Sequence, residues 1–184
     1  YFDGPGGTQV PKREMEAVNQ YYLKMNSNIE GAFLTSRKSD QMLTNARNAM
    51  ADFLNARSAK EISFGLNMTI HTFNISRAIG KSLKPGDEII VTVLDHEANV
   101  SPWNALVEHG IKVNCIDIRT EDCTLDLKDL ESKLNERTKV VALGYASNAV
   151  GTINPVREII RKAHQVGALV FVDAVHYAPH GPID

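Results

Sequence analysis

The residues best suited to chemistry follow short apolar runs. Asp173 and His176 come after the run 168–172, whose β-branched and aromatic residues are typical of a strand buried on both faces. His96 comes after a second such run, 88–93. Open α/β sheets bind their ligands at the carboxyl ends of the strands. We therefore expect these side chains to lie at a binding edge.

Several chemistries fit these side chains. A carboxylate such as Asp173 can hold a protonated ring nitrogen through a charge-assisted hydrogen bond, ligate a metal, or cap a loop. An imidazole such as His96 can ligate a metal, act as a base, or stack on a planar ligand. One hypothesis is therefore a metal-dependent enzyme that uses His96, Asp173 and His176.

Two further segments supply polar groups at the same predicted edge. The first segment is the predicted turn from a short strand at 62–65 into a helix, which contains Gly65, Asn67 and Thr69. Free N–H groups at the start of a helix favour the binding of an anion such as phosphate. Asn148 follows the run 139–143 and offers an amide donor. Together with the carboxylate and the imidazole, these groups match the needs of a phosphorylated pyridine cofactor.

The elements that must position these residues alternate between strand and helix. This alternation predicts an α/β fold in three α/β/α layers around a mainly parallel sheet. Residues 1–58 read as an N-terminal arm and helices, in which Ser39 and Asp40 are expected to cap the second helix. Residues 59–184 read as the sheet domain, with helices at 67–79 and 155–166 and strands at 62–65, 88–93, 111–116, 139–143 and 168–172.

Composition narrows the possible partners. The net charge of −2, with no basic block, argues against nucleic acid or an anionic membrane as partner. No apolar run approaches the roughly 20 residues of a membrane span, and the start does not resemble a signal peptide. The two cysteines, Cys115 and Cys123, form no disulfide framework or CxxC motif, which indicates a cytoplasmic protein.

Three segments have a specific likeness: DHEANVSPW at 95–103, SNAVGTINP at 147–155 and VDAVHYAPH at 172–180. Through them the sequence resembles the N-terminal portion of the class V aminotransferases, pyridoxal 5'-phosphate (PLP)-dependent enzymes of fold type I. The likeness is greatest to cysteine desulfurases and selenocysteine lyases, and it runs from residue 1 to residue 184. It implies that residues 59–184 are part of a PLP-binding domain whose C-terminal companion domain is absent.

The resemblance also implies roles for individual residues. Asn67 and Met68 match the pair around the cofactor phosphate, where the family usually has hydroxyl residues, so Thr69 is expected to supply the hydroxyl. His96 matches the imidazole that stacks on the pyridine ring and helps to move protons. Asp173 matches the carboxylate that keeps the pyridine nitrogen protonated.

Two more residues are implied to contact the phenolic oxygen of the cofactor. Asn148 matches such a residue, and His176 stands where the family commonly has Gln. The family also has a lysine that forms a Schiff base with the cofactor about two dozen residues after the aspartate. No lysine follows Asp173 here, so we expect these 184 residues alone to be inactive.

The resemblance implies an amino-acid substrate, most simply cysteine, whose C–S bond is cleaved. It also implies that the protein forms a homodimer and passes sulfur to an acceptor protein. Transamination and epimerisation are alternatives within the family. A non-catalytic module that retains the fold is an alternative outside it. The resemblance implies no metal site.

Overall fold

A computed structural model describes residues 4–183. They form two compact units, one that runs to Phe64 and includes the segment from Pro182, and one from Gly65 to Gly181. The division falls after Phe64, whereas the sequence placed it after residue 58. Residues 1–3 of the predicted arm, and Asp184, lie outside the described residues.

The first unit contains two long helices, α1 (Lys12–Lys24) and α2 (Leu34–Phe53). The predicted cap of α2 at Ser39 and Asp40 is wrong, because the helix begins at Leu34, after an extended residue at Phe33. The two side chains instead bind the preceding loop. Ser39 Oγ donates to the Met25 carbonyl at 2.8 Å, and the Asp40 carboxylate accepts from the Glu30 N–H at 3.1 Å.

The strands of the second unit are β1 (Glu88–Thr92), β2 (Lys112–Ile116), β3 (Ile118–Arg119), β4 (Thr124–Leu125), β5 (Thr138–Gly144) and β6 (Leu169–Asp173). Four of them form a parallel sheet in the order β2-β1-β5-β6. The other two, β3 and β4, form an antiparallel ribbon between β2 and the next helix along the chain. The helices are α3 (Met68–Gly80), α4 (Ser101–Asn104), α5 (Leu127–Lys133) and α6 (Val156–Gln165).

Helices cover both faces of this sheet. Ile89 and Val91 of β1 belong to one buried cluster, with Trp103 of α4, whereas Ile90 belongs to another, with Ile159 of α6. Successive strand residues point to opposite faces, so the two clusters lie on opposite sides of the sheet. The predicted three-layer α/β/α fold is confirmed.

Two strand predictions differ from the structure. Residues 62–65 form no strand, because they pair with no neighbour among residues 4–183. The run 168–172 does form β6, but it is not buried on both faces, since Leu169 is 58% exposed and Val170–Asp173 are partly buried. Among residues 4–183, β6 pairs with β5 on one side only.

No helix within the described part of the chain combines the length and the apolar character needed to cross a membrane.

Candidate functional site

A cavity of about 360 Å³ opens in the second unit beside the start of α3 and the end of β6. Its size is within the range of small-molecule sites. Two segments line it. The first contributes Gly65, Asn67, Met68, His71 and Thr72, and the second contributes Phe171, Val172, Asp173, Ala174 and Val175.

The first turn of α3 leaves N–H groups unpaired beside this cavity, which Met68 lines and Thr69 does not. Asn67 is the N-cap, and its Oδ1 accepts from the Ile70 N–H at 2.9 Å. The backbone oxygen of Asn67 accepts from the His71 N–H at 3.0 Å. The N–H groups of Met68 and Thr69, in the first turn, are left without an intrahelical acceptor. This end of the cavity therefore suits an anion.

The end of β6 supplies a carboxylate. Asp173 is partly buried and pairs in register with Gly144 of β5. Its Oδ1 accepts from the Val175 N–H at 2.9 Å, while its Oδ2 has no hydrogen-bond partner among residues 4–183. A carboxylate oxygen is thus available to a cationic group in the cavity.

The other site residues predicted from the sequence do not line this cavity. Thr69 is exposed on the first turn of α3. His96 is exposed after β1, and its Nδ1 accepts from the Ala98 N–H at 3.0 Å. In the neutral ring this bond leaves the proton on Nε2. The roles given to these two residues stay predictions.

Asn148 and His176 are partly buried in turns at the same edge of the sheet. The turn of Asn148 is closed by the Gly151 N–H, which donates to the Ser147 carbonyl at 3.1 Å. The turn of His176 is closed by the Ala178 N–H, which donates to the Ala174 carbonyl at 2.8 Å. Neither side chain lines the cavity, and their contact with a cofactor oxygen stays a prediction.

Sequence reasoning gave no role to His71, which does line the cavity. His71 lies near Gly65, where an added Cβ atom would come within 2.6 Å of its Nδ1. Glycine at 65 therefore leaves room for the imidazole. The signal in the sequence was helical spacing, since His71 lies one turn after the cap at Asn67.

Sequence reasoning also gave no separate role to Asp95. Its Oδ2 accepts from Thr92 Oγ1 at 2.5 Å, and its Oδ1 accepts from Asn99 Nδ2 at 3.2 Å. Burial raises the pKa of Asp95 to about 6, and the negative charge of Asp173 adds to the rise, although the two hydrogen bonds oppose it.

The structure gives no support to a metal-dependent enzyme. Among residues 4–183 no group of three or more His, Cys, Asp or Glu side chains could hold a metal ion. His96, Asp173 and His176 therefore do not come together as a set of ligands.

The family follows from a match along the entire chain. Residues 1–184 match the model of the family described as Aminotransferase class-V. The chain belongs to this family. Two relatives of this class V member are probable cysteine desulfurases. The one from Streptomyces coelicolor is 34% identical over 100% of the chain and 46% of its own length. The one from Synechocystis sp. is 36% identical over 100% of the chain and 44% of its own length.

Solved structures show the same fold. The apo cysteine desulfurase of Thermococcus onnurineus NA1 has a TM-score of 0.91 and 32% identity, over 100% of this chain and 46% of that one. The cysteine desulfurase CsdA of Escherichia coli has a TM-score of 0.86 and 29% identity, over 98% of this chain and 46% of that one. The chain spans about half the length of the curated relatives it matches.

Proposed function

We propose that this chain is the cofactor-binding portion of a PLP-dependent enzyme that cleaves the C–S bond of cysteine or a close relative. The observation that carries the proposal is a single cavity lined both by the start of α3 and by Asp173. Relatives named as cysteine desulfurases, 34% and 36% identical, support the choice of reaction.

The cavity fits PLP in its chemistry. A simple anion would gain from the N–H groups of Met68 and Thr69 but would be repelled by Asp173. A ligand with a phosphate at one end and a protonated ring nitrogen at the other satisfies both ends. Phe171, Val172 and Val175 provide apolar walls for the ring between them.

The residues of the chain would bind and orient this group. The Met68 and Thr69 N–H groups hold the phosphate, and the Asp173 carboxylate keeps a proton on the ring nitrogen. When bound, PLP supplies an electron sink for charge that develops on the substrate. His96 Nε2 holds or donates a proton, because Nδ1 is already engaged by the Ala98 N–H.

The remaining assignments rest on the family. Asn148 and His176 donate to the phenolic oxygen of the cofactor. The enzyme acts as a cytoplasmic homodimer and passes sulfur to an acceptor protein. Residues 59–184 form part of the PLP-binding domain and follow, in the sequence, an arm and helices at 1–58.

Amino transfer is a second candidate. An aminotransferase-like protein, FGM3, of Gibberella zeae is 35% identical over 99% of this chain and 46% of its own length. The two reactions differ in their products. Desulfuration of cysteine in the presence of a thiol reductant yields alanine and sulfide in equal amounts, whereas amino transfer yields a keto acid and an aminated cofactor.

The activity is tested on the protein translated from its complete reading frame, loaded with PLP and given cysteine. We expect alanine and sulfide in equal amounts, and a large loss of both in the Asp173→Ala variant. A keto acid in place of alanine would favour amino transfer. The absence of any product from a PLP-loaded, folded protein would contradict an enzyme and favour a module that keeps only the fold.

The 184 residues alone are expected to bind PLP without a defined covalent link and to release no sulfide, because no lysine follows Asp173. Borohydride reduction followed by peptide mass spectrometry checks this expectation. Low-level labelling spread over surface lysines agrees with it. A stoichiometric adduct on one lysine, together with sulfide release, would contradict it.

A further inference from the structure

The Asp95 carboxyl group links the loop after β1 to the end of β5. Within the loop it accepts hydrogen bonds from Thr92 Oγ1 and Asn99 Nδ2, which lie on either side of His96 in the sequence. The Gly144 backbone N–H, at the end of β5, also acts on this carboxyl group and lowers its pKa. A Cβ atom at Gly144 would lie 2.8 Å from Asp95 Oδ1, so the carboxyl group uses the space that any other residue would fill.

The end of β5 in turn positions Asp173. Gly144 pairs in register with Asp173, and the next residue, Tyr145, donates its N–H to the Asp173 carbonyl at 2.7 Å. Gly144 therefore has Asp95 on one side and Asp173 on the other. A shift of the Asp95 carboxyl would move the strand end against which Asp173 is aligned.

The two carboxyl groups also interact through charge. The negative charge of Asp173 makes ionisation of Asp95 less favourable. By reciprocity, an ionised Asp95 strengthens the attraction of Asp173 for a cation. The negative charge of Asp95 also raises the pKa of the Cys115 thiol on β2, whereas Thr92, Asn99 and Gly144 carry no charge.

We propose that Asp95 is a positioning residue, which aligns Asp173 through Gly144 and whose negative charge strengthens the hold of Asp173 on a cationic ring nitrogen. The alignment of Asp173 through Gly144 concerns this chain alone, whereas the effect on a ring nitrogen rests on the proposed function. The Asp95 carboxyl touches neither end of the cavity, since Asp95 is not among its lining residues. It therefore acts through Asp173 and through the segment that carries His96.

The coupling is measured first without any ligand. The titration of the Asp95 side-chain carboxyl carbon is followed by NMR in the wild-type chain and in Asp173→Asn. The wild-type midpoint is expected near 6 and is expected to fall when the charge at position 173 is removed. A midpoint that does not change in Asp173→Asn would overturn the proposal, and this measurement needs no substitution at Asp95.

The effect on a cation is measured next, with PLP as the probe. Its Kd is determined from about pH 5 to about pH 8 for the wild-type chain and for Asp95→Asn. The ratio of the Asp95→Asn value to the wild-type value is expected to rise about fivefold as the pH rises through 6, because only the wild type gains the second charge. The titration of PLP itself cancels in this ratio.

Glu97→Gln is the matched control, since Glu97 is an exposed carboxylate in the same loop whose partner is Ser101 Oγ. Its Kd ratio to the wild type is expected to stay constant across the same pH range. A ratio for Asp95→Asn that does not change with pH would overturn the charge effect. If the wild-type chain binds no PLP, the proposed function fails, and the ligand-free titration still decides the link between Asp95 and Asp173.

Discussion

Replacement of Asp173 by asparagine is expected to weaken the binding of PLP by about 10- to 100-fold. The carboxylate would form a charge-assisted hydrogen bond with the protonated ring nitrogen, and such bonds contribute about 1.5–3 kcal/mol. Asparagine keeps the shape of the side chain and its capacity to accept the Val175 N–H, but it has no charge. A titration of near-ultraviolet and blue absorbance with PLP at neutral pH measures the change in Kd.

Asp52→Asn is the control for this experiment, because Asp52 is an exposed aspartate on α2, in the other unit. Its Kd is expected to equal that of the wild type. An unchanged Kd in Asp173→Asn would show that the carboxylate does not contact the cofactor, and the role assigned to Asp173 would be wrong.

Trp103→Ala is expected to lower the free energy of unfolding by about 3–5 kcal/mol. The indole is fully buried in the cluster that packs α3 and α4 against the sheet. It contacts the edge of Phe171, with ring centroids 5.4 Å apart, and Phe171 lines the cavity. The substitution leaves a cavity beneath the site, so destabilisation and weaker PLP binding are expected together.

Urea unfolding followed by far-ultraviolet circular dichroism measures this loss. Val107→Ala is the matched control, because Val107 lies four residues further along the same segment and is 53% exposed. That variant is expected to change the free energy of unfolding by less than about 0.5 kcal/mol. A loss below about 1 kcal/mol in Trp103→Ala would contradict the packing described for this face.

The parts of the fold that could be predicted from the sequence depend on local patterns. The apolar runs at 88–93, 111–116 and 139–143 form β1, β2 and β5 with small differences at their ends. The helix at 67–79 forms α3 with Asn67 as its cap, because an N-cap bond joins residues that are close in the sequence.

The errors arise where distant residues compete with a local signal. Ser39 and Asp40 have the side chains of a cap, but they bind the Met25 carbonyl and the Glu30 N–H of the preceding loop. The run 168–172 has the composition of an interior strand, but among residues 4–183 it has β5 as its one neighbouring strand. No periodicity within a run carries that information.

The same limit applies to the site. Asp173 and the start of α3 were predicted to share one edge, and they line one cavity. Asp95 was not distinguished from its neighbours His96 and Glu97, because its importance depends on the approach of Gly144 from another strand. The sequence does not show that Gly144 leaves room for the Asp95 carboxyl group, because the two residues lie on different segments that meet only in the folded structure.

The most direct test of the central claim is an amide NMR titration of the chain with PLP, alongside one with pyridoxal, which lacks the phosphate. If the cavity binds the cofactor, PLP shifts the amide resonances of Met68 and Thr69 and of residues 173–175, and pyridoxal shifts mainly the second group. Shifts elsewhere, or equal shifts at Met68 and Thr69 with both ligands, would contradict the assignment of the α3 start to the phosphate and of Asp173 to the ring.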